Sequence, residues 1–180
     1  MTAVQFWSTQ GDFGCFSNFS RHQVVIKNKR YRTTEHYYQS QKFATTDPLY
    51  ANKIAKTARP SEAAKLGRDR SRKLLRKDWE SAKIGVMRIA LRAKVDQHPE
   101  IRELLLSTGD RKMEETSPTD AFWGTGQDGK GQNWLGRLWM ELRASLRGEA
   151  VKIARTAPPP TETTEEFMER LIEDFPKQGR

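Results

Sequence analysis

The chain predicts an α+β fold, a mainly helical single domain with a few short strands, and three observations lead there. Segments with helix start and stop signals outnumber stretches of strand-forming residues. The strand candidates are short and end at turn residues. The length of 180 residues suits one ordinary domain plus an appendage, enough to bury a core without staples.

In chain order, Val4 to Trp7 reads as a strand, and Gln23 to Ile26 and Lys29 to Arg32 as a hairpin. Lys27-Asn28 forms its tip, because Asn tolerates positive φ. Thr34 offers an N-cap to a helix from Glu35 to about Ala44. Asp47-Pro48 opens a helix to about Thr57, and Ser61 caps a short one through Leu66 before Gly67. A long helix covers Asp78 to Val95, and His98-Pro99 starts another through Leu106. Thr108-Gly109-Asp110 turns into a strand at Lys112 to Thr116. A loop with glycines at 124, 126, 129 and 131 then runs to Asn133, which can cap a last helix through Arg147. Residues 1–149 form the expected domain. Residues 150–180 form an extension in which Pro158-Pro159-Pro160 reads as a stiff linker before a short acidic amphipathic segment carrying Phe167, Leu171 and Ile172.

The formal charge is +9. Residues 150–180 hold five Lys/Arg and six Asp/Glu, 5 − 6 = −1, which leaves +10 on residues 1–149. The domain, and not the extension, attracts anions. Lys65 to Lys77 concentrates seven cationic residues against Asp69 alone, either as a solvated face or as a surface for phosphate or a nucleic-acid strand. One cysteine, Cys15, excludes an internal disulfide and a Cys-pair zinc site, and fits a reducing compartment. His22, His36 and His98 lack ligand spacing, so neither a metal nor a cofactor is expected. The N-terminal residues lack a basic-then-apolar leader and no run of eighteen apolar residues occurs, so the expected location is the cytoplasm, off the membrane. GxxxxGK[ST] and GxGxxG are both missing, which removes the P-loop and Rossmann readings.

Two islands carry the chemistry. In Thr33 to Phe43, Glu35, Gln39 and Lys42 fall within roughly 60° on a helix face, a polar stripe that is either a site wall or ordinary surface in water. Glu35 stands in the first turn, where the helix dipole favours its ionised form. His36 is expected as a hydrogen-bonded structural residue. In Ser117 to Gly126, Asp120 lies beside Phe122 and Trp123, an apolar setting that would raise its pKa and suit it to proton transfer. The following glycines permit close backbone approach and, with the helix start after Asn133, can receive phosphate. On the long helix, Lys83 shares a face with Trp79, Val86, Ala90 and Ala93, either snorkelling or functional. Trp79 is either core or a platform for a flat base.

Gly14-Cys15-Phe16-Ser17-Asn18-Phe19, Thr34-Glu35-His36-Tyr37-Tyr38-Gln39 with Lys42-Phe43, and Asp78-Trp79 with Lys83 and Val86-Met87 form an ordered series. Lys94 with Gln97-His98-Pro99, Ser117-Pro118 with Asp120, Trp123-Gly124, Gly126, and Asn133 with Leu135-Gly136 continue it. This series, from about Phe6 to Arg147, resembles the NADAR family of YbiA-like N-glycosidases. The resemblance implies hydrolysis of the bond between a nitrogen and C1 of ribose, in phosphorylated ribosylamino-pyrimidine intermediates of riboflavin synthesis or, in other branches, in ADP-ribosylated guanine of DNA or RNA. It implies Glu35, Trp79 and Asp120 as catalytic residues, with Lys42 or Lys83 open to Schiff-base chemistry. It brings Asn18, Phe19, Tyr38, Gln39, Trp123, Gly124, Gly126 and Asn133 to the substrate. Chemically, an ionised Glu35 would stabilise positive charge developing on the sugar, and Asp120 would protonate the departing nitrogen. Two rival classes remain at this level, a non-catalytic ADP-ribose or nucleotide module and a nucleic-acid-binding protein. Oligomeric state is open.

Overall fold

The computed structural model describes residues 2–69, 71 and 74–156, the last six by their helical backbone alone. The polyproline linker and the segment with Phe167, Leu171 and Ile172 lie outside the described residues. Met1–Leu146 forms one compact unit.

Its elements are β1 (Val4–Phe6), a 3-10 turn (Gly14–Phe16), β2 (Val24–Ile26), β3 (Lys29–Tyr31), α1 (Thr34–Gln41), α2 (Pro48–Ala55), α3 (Pro60–Gly67), α4 (Trp79–Gln97), α5 (Pro99–Ser107), β4 (Met113–Glu115) and α6 (Trp134–Thr156). The helical α+β architecture is the expected one. β2 and β3 pair antiparallel around Lys27 and Asn28, whose φ angles of 51° and 59° make the primed turn that matches strand twist. β1 and β4 pair in parallel, with Val4 opposite Met113 and Phe6 opposite Glu115. The long crossover between them contains α1 to α5.

Three expected caps are corrected. Thr33, not Thr34, caps α1, accepting from the His36 amide, because Thr34 is already helical and its hydroxyl donates to Asn18. At α3 the N-cap position is Arg59, not Ser61. There the Glu62 carboxylate folds back to accept from the Ala58 and Arg59 amides at 3.2 and 3.4 Å. Asn133 does not cap α6 with its side chain. Its Oδ1 accepts from the Glu115 amide (3.0 Å) and its Nδ2 donates to the Met113 carbonyl (2.8 Å), so it clamps β4.

α1 is the informative element. It packs against α2, α3 and α4, and every residue from Thr34 to Ser40 is buried, although four of the seven are Thr, Glu, Gln or Ser and a fifth is His36. Apolar burial does not hold such a helix centrally, so its polar groups need partners inside the protein. His36 shows how: Nε2 donates to the Thr57 carbonyl (3.1 Å) and Nδ1 accepts from the Thr33 hydroxyl (2.8 Å). Burial lowers its pKa, in keeping with the expected structural role. Glu35 and Gln39 of α1, with Lys42 at its C-cap, turn toward open space.

Candidate active site

That space is a cavity of about 660 Å³. Its walls include α1 through Glu35, Tyr38 and Gln39, with Lys42 at the C-cap; the loop after the 3-10 turn through Ser17, Asn18 and Phe19; the loop after β4 through Asp120, Phe122 and Trp123; and Arg68 just past α3. The two sequence islands therefore meet, and the stripe on α1 is a wall, not a wet surface.

Glu35 is 5 % exposed. Its Oε1 accepts from Gln39 Nε2 at 2.7 Å. Burial raises its pKa, opposed by that hydrogen bond and by the Arg68 and Lys42 cations. The expectation that the helix dipole fixes Glu35 as a plain anion is thus corrected: desolvation outweighs the dipole, and the carboxylate becomes a stronger base. Lys42 donates to the Gly67 carbonyl at 2.9 Å, and burial pushes its ammonium down to about 8 against the pull of Glu35. Its Nζ lies 5.6 Å from the Tyr38 ring centre and 5.7 Å from that of Trp79.

Asp120 reaches the cavity as expected, but its Oδ1 accepts from the Phe122 and Trp123 amides at 3.0 and 2.8 Å. The side chain builds its own turn, which is why an Asp follows Ser117-Pro118-Thr119. The expected apolar seat for a proton donor is not what surrounds that oxygen.

Of the other expected residues, Asn18, Phe19, Tyr38, Gln39 and Trp123 line the cavity. Trp79 does not. It is 5 % exposed, with its ring 5.1 Å from that of Tyr38, a core wall behind the site instead of a stacking platform within it. Lys83 also stays outside, held by Glu80 at 2.6 Å and lying 3.8 Å over the Phe122 ring. Gly124 and Gly126 approach their own loop and not the cavity. A Cβ on Gly124 would come 2.7 Å from the Glu115 carbonyl and 2.9 Å from that of Asp120, and one on Gly126 would come 3.1 Å from Ala121. The glycine loop and the start of α6 therefore serve chain packing. Among the described residues, the cations that face the cavity are Lys42 and Arg68.

Sequence reasoning missed Glu115, Arg68, Trp7 and Met87, all of which line the cavity. Glu115 had a readable signal. In Met113-Glu114-Glu115 the strand period sets residues 113 and 115 on one face, and Met113 is fully buried, so Glu115 is the carboxylate pointing inward. Burial pushes it up to about 8, with Asp120 and Glu35 adding to the rise. Among the described residues no helix is long and apolar enough to cross a membrane, and no cluster could hold a metal ion.

Comparison with known proteins identifies the family. The NADAR domain family model matches residues 5–147, and the chain belongs to the NADAR family. The N-glycosidase YbiA of Escherichia coli is 50 % identical over 145 residues, covering 81 % of this chain and 89 % of that protein. The N-glycosidase Npun_R5314 of Nostoc punctiforme is 44 % identical, covering 80 % and 92 %. The NMR structure of E. coli YbiA superposes with a TM-score of 0.77 at 49 % identity, covering 83 % of this chain and 88 % of that one. The chloroplastic riboflavin biosynthesis protein PYRR of Zea mays is 41 % identical, and the match spans 25 % of its length.

Proposed function

We propose that this protein hydrolyses the bond between a nitrogen and C1 of ribose in a phosphorylated ribosylamino-pyrimidine, an intermediate of riboflavin biosynthesis, in the cytoplasm. Membership of the family and half-identity to an N-glycosidase make it a hydrolase of N-glycosyl compounds. The PYRR likeness favours the pyrimidine substrate. The observation that carries the reading is one cavity uniting Glu35 and Asp120 with the cations Lys42 and Arg68 and the faces of Tyr38, Phe122 and Trp123.

Cleavage of the C1–N bond builds positive charge on the sugar. Glu35, oriented by Gln39, stabilises that charge and takes a proton from the attacking water, a task suited to a carboxylate of raised basicity. Asp120 holds its loop with Oδ1 and offers Oδ2 to sugar hydroxyls. Arg68 receives phosphate, and the aromatic walls sandwich the base. In the alternative route through a ring-opened ribosylamine, Lys42, with its lowered pKa, is the amine placed for an imine; Lys83, committed to Glu80, is not.

A second reading, release of ADP-ribose from guanine in nucleic acid, has its own support. Arg68 belongs to the basic Lys65 to Lys77 segment and also lines the cavity, so a strand following that segment arrives at the site. Chromatography of products after incubation with each substrate decides between the two, and release of pyrimidine and ribose phosphate is the expected result. Glu35→Gln should cut turnover by a factor on the order of 10² or more with the fold intact. A rate near that of the parent protein would remove Glu35 from the mechanism.

A further inference from the structure

Glu115 is the side chain in the cavity that the two islands leave unexplained. Its Oε2 is sealed from solvent and, among the described residues, accepts no hydrogen bond. A charge on a carboxyl so placed is costly, so the group is held protonated, and the residue that carries the proton lines the cavity. The backbone beneath it is held from three sides. Asn133 Oδ1 takes its amide hydrogen at 3.0 Å, its carbonyl accepts from the Thr125 amide at 2.8 Å, and the residue is paired with Phe6 across the parallel ladder. A Cβ on Gly124 would strike the same carbonyl, so the loop that carries Asp120 is seated directly on Glu115. A side chain that only filled space would not need an ionisable group or so rigid a mount.

The geometry points to Glu115 as the general acid of the reaction, delivering its carboxyl proton to the nitrogen that leaves C1. This rests on the N-glycosidase reading above. As the C1–N bond breaks, its electron pair goes to nitrogen, which takes the Glu115 proton. The water oxygen bonds to C1 and its proton passes to Glu35. Solvent then reprotonates Glu115 and deprotonates Glu35, so the sum is water plus N-glycoside giving amine plus free sugar. The groups facing Glu115 sort the roles. Glu35 comes from α1 and Asp120 from the loop after β4, and both oppose its ionisation, while Lys42 from α1 and Arg68 after α3 act on Glu35. Burial raises both carboxyls; Gln39, Arg68 and Lys42 oppose the rise at Glu35, whereas Asp120 and Glu35 add to it at Glu115, and this difference in surroundings is what an acid–base division rests on.

The test measures kcat/KM against pH with the phosphorylated ribosylamino-pyrimidine for the parent protein, Glu115→Gln and Glu115→Asp, together with the affinity of each for ribose 5-phosphate. Glu115→Gln should lose 10²-fold or more and show a shallower alkaline fall near pH 8, the remainder belonging to Lys42. Glu115→Asp should recover part of the rate with a displaced alkaline limb. Ribose 5-phosphate should bind all three within about threefold. A Glu115→Gln variant within fivefold of the parent rate, or one keeping the parent's alkaline limb, overturns the assignment. So does Glu115→Asp no better than Glu115→Gln with product affinity lost in both, which marks a structural role. If the parent protein releases no ribose phosphate, the substrate reading falls, an outcome separate from these.

Discussion

Gly67→Ala probes how a residue at the end of α3 controls the carboxylate of α1. A Cβ there would overlap the Gln39 Oε1 and lie 2.7 Å from its Cδ and 2.8 Å from its Cβ. The amide end could swing away, but the Cβ is fixed to a buried helix. Replacing Gly by Ala inside a helix gains up to about 1 kcal/mol in propensity. Overpacking costs about 1–3 kcal/mol, and displacing Gln39 from Glu35 removes a buried hydrogen bond worth about 1.5–3 kcal/mol when its acceptor is charged. The losses win, leaving roughly 3 kcal/mol of destabilisation, which for a unit of this size lowers the melting midpoint by about 6–12 °C. Thermal melts of Gly67→Ala measure this, and kcat/KM should fall tenfold or more because Glu35 loses its orienting donor. In a Gln39→Ala background the cost of the same change should drop by half or more. A Gly67→Ala protein that melts with the parent and keeps its activity would refute the reasoning.

Three further predictions concern buried charge. Lys94 is fully buried and its Nζ donates to the Cys15 and Ser17 carbonyls and to the Ser20 hydroxyl, tying down the loop that sends Asn18 and Phe19 into the cavity. Lys94→Met should cost about 2 kcal/mol or more and raise KM; an unchanged melt and KM would show that the loop holds itself. Glu115 is raised to about 8, so its contribution to stability is full below the ordinary carboxylate range and is lost as pH climbs through 8. Urea unfolding at pH 6 and pH 9 should therefore show Glu115→Gln losing less stability than the parent over that interval, by a few kcal/mol, and equal losses would contradict the burial argument. Borohydride added during turnover should trap no adduct on Lys42 or Lys83, because water attack on C1 leaves no covalent intermediate; an adduct on Lys42, which combines a place in the cavity with a pKa near 8, would replace water attack by an imine route.

Local signals were legible in the chain at the start of α2 and at the tip of the hairpin. Asp47-Pro48 opens α2 and Lys27-Asn28 turns the hairpin, both as read, and Asp47 adds a cap by accepting from the Tyr50 amide. The stripe Glu35, Gln39, Lys42 was legible too, since helix geometry alone sets it on one face. Asn133 misled because its cap chemistry is identical to the chemistry it uses across 18 and 20 residues to clamp Glu115 and Met113. The glycines from 124 onward misled because close approach to phosphate and close approach to backbone require the same missing Cβ.

By itself the sequence determined the elements, the hairpin turn and the two islands of polar and aromatic residues, because these depend on periods and donors within a few positions. Only the tertiary structure decided what each acid does. Protonation is set by what surrounds a carboxyl in three dimensions: Glu35 is shifted by burial, Gln39 and two cations, Glu115 by burial and two other acids, and Asp120 gives one oxygen to its own turn. Desolvation and charge coupling act through space between segments some 80 residues apart, and no local pattern carries them.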